Sequence, residues 1–549
     1  MTAKPSKHTH SPDRRNFLGT TLAGAGLAMA TLPLSALAQE RRLTTVGGVA
    51  RTQAGRVRGL LKDGVQQFWC VPYGAPTGGV NRFRAPQKPA PWSGVHDHFE
   101  ITFAAPMEPG GVEPSPVVTA LNRLTPQSED CLTVNVFTPA LDKKSRPVMV
   151  WMHGGGFSAG SGNYLLYDGT NLAKKEDVVV VSVNHRLNLF GFLHLADIGG
   201  AAWAGATNAG IQDLTAALQW VRDNIENFGG DPSRVTIFGQ SGGGGKTTTV
   251  MAMPQAQGLF HRAIAQSGSA FRGQSADDAS EVAERFLAKL GLNKNQLDQL
   301  AQLDMRQLQA AYYSTPAIPR LGGGPVIDGH ILPRHQWDPT APSWSSKVPL
   351  LAGSVENENG WLGPPPYELA DDELLNRFTT RLANKDAAEG QKLLALYKRL
   401  HPTTRNQMLW LMAEADDQRR AGAQSLCRLK HEQGTAASYL YFFDWQSPVH
   451  DDRMGSYHTL DIPFVLYNLD IGASMTGSAQ SRYQLGHVMS AAWAAFARTG
   501  NPNHADMPHW PAFDPATHPT MMFGSSVRVA NDPNREERLA LAALRSKRA

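Results

Sequence analysis

The sequence predicts an α/β fold with a mostly parallel central sheet flanked by helices on both faces. Three observations lead there. Short β-branched runs alternate with longer helical patterns, the order that builds parallel sheets through helical crossovers. The run VVVVSV (178–183) does not alternate polar with apolar, as expected of a strand buried on both faces. Between 208 and 228, Ile211, Leu214, Leu218, Val221 and Ile225 fall at spacings of three and four, the stripe of an amphipathic helix.

In chain order, strands are expected at PVMVWM (147–152), VVVVSV (178–183), RVTIFG (234–239), RAIAQS (262–267), PLLAGS (349–354) and SYLYFF (438–443). The 208–228 helix should stop at Gly229-Gly230, with Asp231-Pro232 turning the chain into the next strand. Residues 278–290, 389–399 and 405–432 also carry helical patterns, and the Pro/Gly-rich stretches 106–127 and 360–369 read as loops that wall a cleft. A chain of 549 residues suggests several domains at about 150 residues each. No Ser/Gly-rich linker, like-charge run or internal repeat divides it, so residues 39–549 are expected to form a single domain.

Composition narrows the class. Hydrophobic residues make up 42% and charged residues 18%, which fits a soluble globular protein and excludes a disordered or multi-span membrane chain. The formal charge is +4, from 52 basic and 48 acidic residues, and most of the excess sits in the first 38 residues. No electrostatic case for a nucleic-acid partner follows.

Residues 1–38 read as a leader. Arg14-Arg15 precede Phe17-Leu18 in SPDRRNFLG, which resembles the twin-arginine export signal, and Ala36-Leu37-Ala38 closes a weakly apolar run in a small-x-small cleavage pattern. That run is diluted by Gly, Thr, Ser and Pro33, which argues against a membrane anchor, and no Cys stands near the cleavage point to take a lipid. The expectation is export to the periplasm or beyond, cleavage after Ala38, and the export machinery as the leader's partner. Cys70, Cys131 and Cys427 are too few and too odd in number for a disulfide framework. Neither CxxC nor HExxH occurs, and His96-Asp97-His98 and His450-Asp451-Asp452 lie in polar, turn-like sequence, so no metal site is expected.

The chemistry centres on two glycine-rich motifs. Gly239-Gln240-Ser241-Gly242-Gly243 matches G-x-S-x-G directly after a predicted strand and before an apolar segment. This is the context of a nucleophile elbow, where glycines two before and two after the serine avoid Cβ clashes. His153-Gly154-Gly155-Gly156-Phe157 also follows a strand, and consecutive glycines let backbone N–H groups converge on a developing oxyanion. The Gly242 N–H would complete that hole with Gly155 and Gly156. The overlapping GGGGKTTT (242–249) invites a nucleotide-binding reading, but with Gly245-Lys246-Thr247 as the G-K-T the required first glycine falls on Gln240.

With these motifs, the chain resembles the type-B carboxylesterases of the α/β-hydrolase fold, which include bacterial p-nitrobenzyl esterases and cholinesterases. The resemblance runs from about residue 45 to 525. It is carried further by VPYGAPTGGVNRFRAP (71–86), SEDCLTVNVFTP (128–139), NHRLNLFGFL (184–193), GLFHRAIAQSGS (258–269), HTLDIPFVLYN (458–468) and WAAFARTGNPN (493–503). It implies cofactor-free hydrolysis of small-molecule esters by a Ser–Glu–His triad: Ser241 as nucleophile, His458 as general base, and an acid from GSVENENG (353–360). Family register points to Glu358. Periodicity does not choose between Glu356 and Glu358, which are two residues apart just past a strand end.

Three departures from the family pattern stand out. Neutral Gln240 replaces the usual Glu before the nucleophile. Gly242 replaces a frequent Ala. Cys131 has no nearby upstream partner, so the usual disulfide is expected to be absent, with a Cys70–Cys131 bridge as the alternative. A binding module of the same fold, as in the family's adhesion proteins, is the rival function. It is marked by loss of triad residues, all of which are present here. Amidase or lipase activity on the same triad is the nearer alternative.

Overall fold

The computed structural model describes residues 44–108, 116–121, 125–315, 323–360, 368–451 and 453–547. In strand β6 (Arg146–Met152), Val148, Val150 and Met152 join the core on one sheet face, while Met149 and Trp151 join the core on the other. Val179, Val181 and Val183 of β7 (Val179–Val183) divide from Val180 in the same way, which is why that run carries no polar alternation.

Around this pair the described residues build one sheet of thirteen strands. The others are β1 (Thr44–Arg51), β2 (Arg56–Lys62), β3 (Val65–Pro72), β4 (Val95–Asp97), β5 (Thr133–Thr138), β8 (Gly230–Gln240), β9 (Arg262–Gln266), β10 (Leu350–Val355), β11 (Ser438–Phe443), β12 (Pro519–Phe523) and β13 (Val527–Asn531). Their order is β1-β2-β3-β5-β7-β6-β8-β9-β10-β11-β12-β13, with β4 beside β2. Every pair from β7 to β12 is parallel. The margins β2-β3-β5-β7 and β12-β13 are antiparallel. This is the α/β-hydrolase arrangement, and residues Val46–Ala549 cluster as one compact unit.

All six expected strands form. Several boundaries differ, each for a physical reason. The first long helix, α1 (Ala209–Asn224), tightens into a 3₁₀ turn at Ile225–Phe228 before Gly229 ends it at φ +77°. Strand β8 begins at Gly230 rather than 234, because Gly230 already pairs with Arg146 ahead of a register irregularity that accommodates Asp231-Pro232. The 405–432 pattern is two helices, Asn406–Ala415 and Ala421–Gln433, joined by a π turn where Asp416 and Arg420 are both buried and hydrogen-bonded at 3.2 Å. Within the expected loop 106–127, Pro116–Leu121 is helical. His96-Asp97 lies in edge strand β4, where Asp97 pairs with Arg58 at 2.7 Å. The leader, residues 109–115, 122–124 and 361–367, and Asp452 lie outside the described residues.

Cys70, Cys131 and Cys427 are all free and buried, so no Cys70–Cys131 bridge forms. Burial pushes the Cys131 thiol up, and that of Cys427 up to about 12.

Behind the sheet, Arg186 and Asp213 form a fully buried pair, with two guanidinium bonds at 2.6 and 2.8 Å and a third from the Arg186 backbone N–H at 3.0 Å. Asp213 thereby ties α1 to the chain after β7. Asp213→Ala strands the guanidinium in the core and is expected to cost about 3–5 kcal/mol. Asp97→Ala in the exposed Arg58 pair should leave the denaturation midpoint unchanged. Equal midpoints for the two variants in guanidinium titration would contradict this reading.

Candidate active site

Strand β8 delivers Ser241 to its C-terminal end in the middle of the sheet, and helix α2 (Gly242–Met251) leaves immediately after it. Ser241 sits at φ 60°, ψ −124°, a strained conformation for a side-chain-bearing residue. Its N–H donates to the Gln266 carbonyl at 2.8 Å, and its carbonyl accepts from Gly245 N–H at 3.0 Å. A Cβ at Gly239 or at Gly243 would strike the Met152 carbonyl oxygen, so both glycines of the motif are dictated by β6, the neighbouring strand.

The loop His153–Gly156 leaves that same strand. Gly155 and Gly156 adopt φ +89° and +61°, and a Cβ at Gly155 would strike the Ala159 carbonyl. A Cβ at Gly242 would strike the Gly156 backbone, so the loop lies directly against the first residue of α2. Three N–H-bearing glycines therefore gather at a helix N-terminus, which favours negative charge. Among the described residues, the His153 ring Nδ1 lies 2.8 Å from the Gly154 carbonyl oxygen.

Glu358 and His458 are brought together by a short backbone zipper. Asn357 N–H donates to Ser456 O at 2.8 Å, Ser456 N–H to the Asn357 side chain at 2.9 Å, and His458 N–H to Glu358 O at 3.2 Å. The Glu358 Oε2 then takes His458 Nδ1, and its Oε1 accepts from Val355 N–H at 3.1 Å. Glu358 is 1% and His458 5% exposed, so this contact is dry. Glu356, the alternative, turns away to accept from Gln446 at 2.7 Å, and burial raises its pKa to about 7.

Gln240 touches the same histidine: its Nε2 lies 3.3 Å from both ring nitrogens. An atom equidistant from the two lies over the ring face, because in the ring plane the carbon between them stands in the way. Where a carboxylate would favour imidazolium, this neutral amide supplies no charge.

A second layer escaped the motif reading. Gln266 holds Ser241 through its carbonyl, while its side chain donates to Asp461 at 2.9 Å and accepts from Trp493 at 3.1 Å. Tyr441 donates to the same Asp461 oxygen at 2.8 Å. Burial raises Asp461 to about 6 despite these bonds. Gln266 and Asp461 were both visible as polar residues in apolar surroundings, Gln266 at a strand's end beside the nucleophile strand and Asp461 three residues after His458.

The carboxylesterase family model matches residues 47–541. The chain is 36% identical over 507 residues to the para-nitrobenzyl esterase of Bacillus subtilis (strain 168), covering 90% of this chain and 98% of that protein. It is 32% identical over 517 residues to the phenmedipham hydrolase of Pseudarthrobacter oxydans, covering 90% and 99%. Among solved structures, an esterase of Clostridium hathewayi described as hydrolysing aliphatic aromatic polyesters superposes with a TM-score of 0.79 at 32% identity, covering 91% of this chain and all of that one. A thermophilic p-nitrobenzyl esterase gives 0.76 at 34% identity, covering 90% and 99%.

Proposed function

Because the chain belongs to the carboxylesterase family and hydrolyses carboxylic esters, we propose that Ser241, His458 and Glu358 carry the reaction through an acyl-enzyme. The observation that supports this most is the dry Glu358–His458 pair beside the strained Ser241 turn. His458 takes the Ser241 Oγ proton as Oγ bonds to the ester carbonyl carbon. The carbonyl electrons move onto oxygen, where the N–H groups of Gly155, Gly156 and Gly242 receive the charge. Collapse expels the alkoxide, which leaves as alcohol with the proton from His458. Water then repeats the sequence on the acyl carbon and releases the acid. Glu358 fixes the tautomer that carries its proton on Nδ1, leaving Nε2 to work as base.

The substrate is proposed as a small-molecule ester, and a binding-only role is not favoured, because every triad position is occupied by a competent residue. We further propose that the mature enzyme is exported through the twin-arginine route. Arg14-Arg15 and Ala36-Leu37-Ala38 support this, and a fold with three free cysteines suits a passenger folded before export.

Two expectations follow for measurement. Glu358→Gln keeps the shape of the acid but favours the wrong imidazole tautomer, so kcat should fall by roughly 10⁴, about 5.5 kcal/mol. Glu356→Gln should stay within roughly tenfold. Steady-state kinetics on p-nitrophenyl acetate decides, and the reverse order moves the acid to Glu356. For export, changing Arg14 and Arg15 both to Lys should hold the precursor in the cytoplasm, and the wild-type mature N-terminus should be Gln39. Unchanged export of the double variant, or another N-terminus by Edman sequencing, contradicts the route.

A further inference from the structure

Of the residues in the GGGGKTTT run that neither the elbow nor the proposed mechanism uses, Lys246 carries the one ionisable side chain. It lies in α2, five residues after Ser241, and is 0% exposed. Among the described residues no carboxylate pairs with it. Its Nζ donates to the His153 backbone carbonyl at 2.8 Å and lies 3.4 Å from His153 Nδ1. Because a carbonyl only accepts, the 2.8 Å contact from His153 Nδ1 to the Gly154 oxygen places the proton on Nδ1. Nδ1 is then a donor, and the His153 carbonyl is the group Lys246 serves.

The consequence for the glycine loop follows from peptide geometry. In a planar trans peptide the C=O and N–H point opposite ways. Holding the His153 carbonyl fixes the 153–154 plane, and holding the Gly154 carbonyl fixes the 154–155 plane, whose N–H is that of Gly155. Glycines have no side chains to restrain these planes, so the restraint comes from the groups around them: Lys246 on the His153 carbonyl, the His153 ring on the Gly154 carbonyl, and Tyr167, which bonds to the Gly154 backbone.

The other buried lysine among the described residues shows the contrast. Lys430 Nζ donates to Ser345 O, Ser346 O and Gln433 Oε1 at 2.8, 2.7 and 2.7 Å, which ties its helix to the turn at 343–346. Burying an amine is unfavourable without such partners, and an apolar residue at 246 would pack there more cheaply. Burial lowers the Lys246 pKa well below its ordinary value, and burial together with the neighbouring amine likewise lowers those of the stacked imidazoles of His153 and His185, 5.1 Å apart.

We infer that Lys246 is a positioning residue for the oxyanion hole: its bond to the His153 carbonyl sets the first peptide plane of the Gly154–Gly156 loop and thereby the aim of the hole's donors. This rests on the oxyanion-hole reading given under the proposed function. Lys246→Met keeps the chain length and removes the donor. It should lower kcat by about 10²-fold with KM within about threefold, because the hole acts on the transition state more than on bound ester. The Ki of a trifluoromethyl ketone should rise by the same factor, and the unfolding midpoint should hold or increase. Lys246→Gln, which keeps a donor, should recover about tenfold of the loss. A Met variant with kcat within about twofold of wild type overturns the inference, as does a loss of kcat without a matching rise in Ki. If the Met variant is insoluble, Lys246→Ala is measured in the same way, and insolubility of both assigns Lys246 to core stability and overturns it as well. The wild-type Ki separates the two readings: weak inhibition of the wild type refutes the hole itself, whereas tight inhibition unchanged in the variant refutes only the role of Lys246.

Discussion

Ser241 is held at φ 60°, ψ −124°, a conformation that costs on the order of 1–3 kcal/mol, and the rest of the site is arranged around that turn. It survives because strands β8 and β6 are locked in parallel register from Val148↔Val235 to Met152↔Gly239. That register brings the Met152 carbonyl so close to the elbow that positions 239 and 243 admit only glycine. The same strand end launches His153–Gly156, so one pair of strands supplies both Ser241, the proposed nucleophile, and the N–H groups opposite it. On the other side, β9 ends at Gln266, whose carbonyl takes the Ser241 N–H and whose side chain reaches Asp461, three residues after His458. Shifts of these three strand ends would move Ser241 and the glycine N–H groups opposite it.

The electrostatics are built from few charges. Glu358 is dry and fully engaged by His458 and the Val355 N–H. Gln240 spreads a neutral amide over the imidazole where the family places a carboxylate. Asp461, buried and shared by Gln266 and Tyr441, sits near enough to raise the cost of a second negative charge, and its own pKa is displaced upward to about 6. Glu356 is excluded from the site by the zipper through Asn357 and Ser456, which turns only one of the two glutamates toward the histidine.

Much of this was legible in the chain. The central strands β6 to β11 announced themselves as β-branched or aromatic runs because both their faces are buried. The marginal strands did not: β2 and β13 are half-exposed, and β4 spans only Val95–Asp97, read from its His and Asp content as a solvated turn. Strand β5 is fully buried, yet Asn135 and two threonines interrupt its apolar pattern; Asn135 is tied to Asn163, Ser182 and the Gly162 carbonyl. The elbow and the glycine loop were readable because their residue types follow from local sterics. The choice of Glu358 over Glu356 was open to family register and closed to periodicity, since it depends on a pairing between segments 100 residues apart. Gln266, Asp461 and Lys246 were visible only as polar residues in apolar surroundings; what they hold is a matter of tertiary contact.

The central claim is that the strained serine is the activated nucleophile. It is tested most directly by treating the mature enzyme with an organophosphate and mapping the adduct by peptide mass spectrometry. The account predicts one adduct per chain, on the peptide containing Ser241, with activity lost in proportion to labelling. Labelling on another residue, or full activity in enzyme whose Ser241 is completely modified, would contradict it.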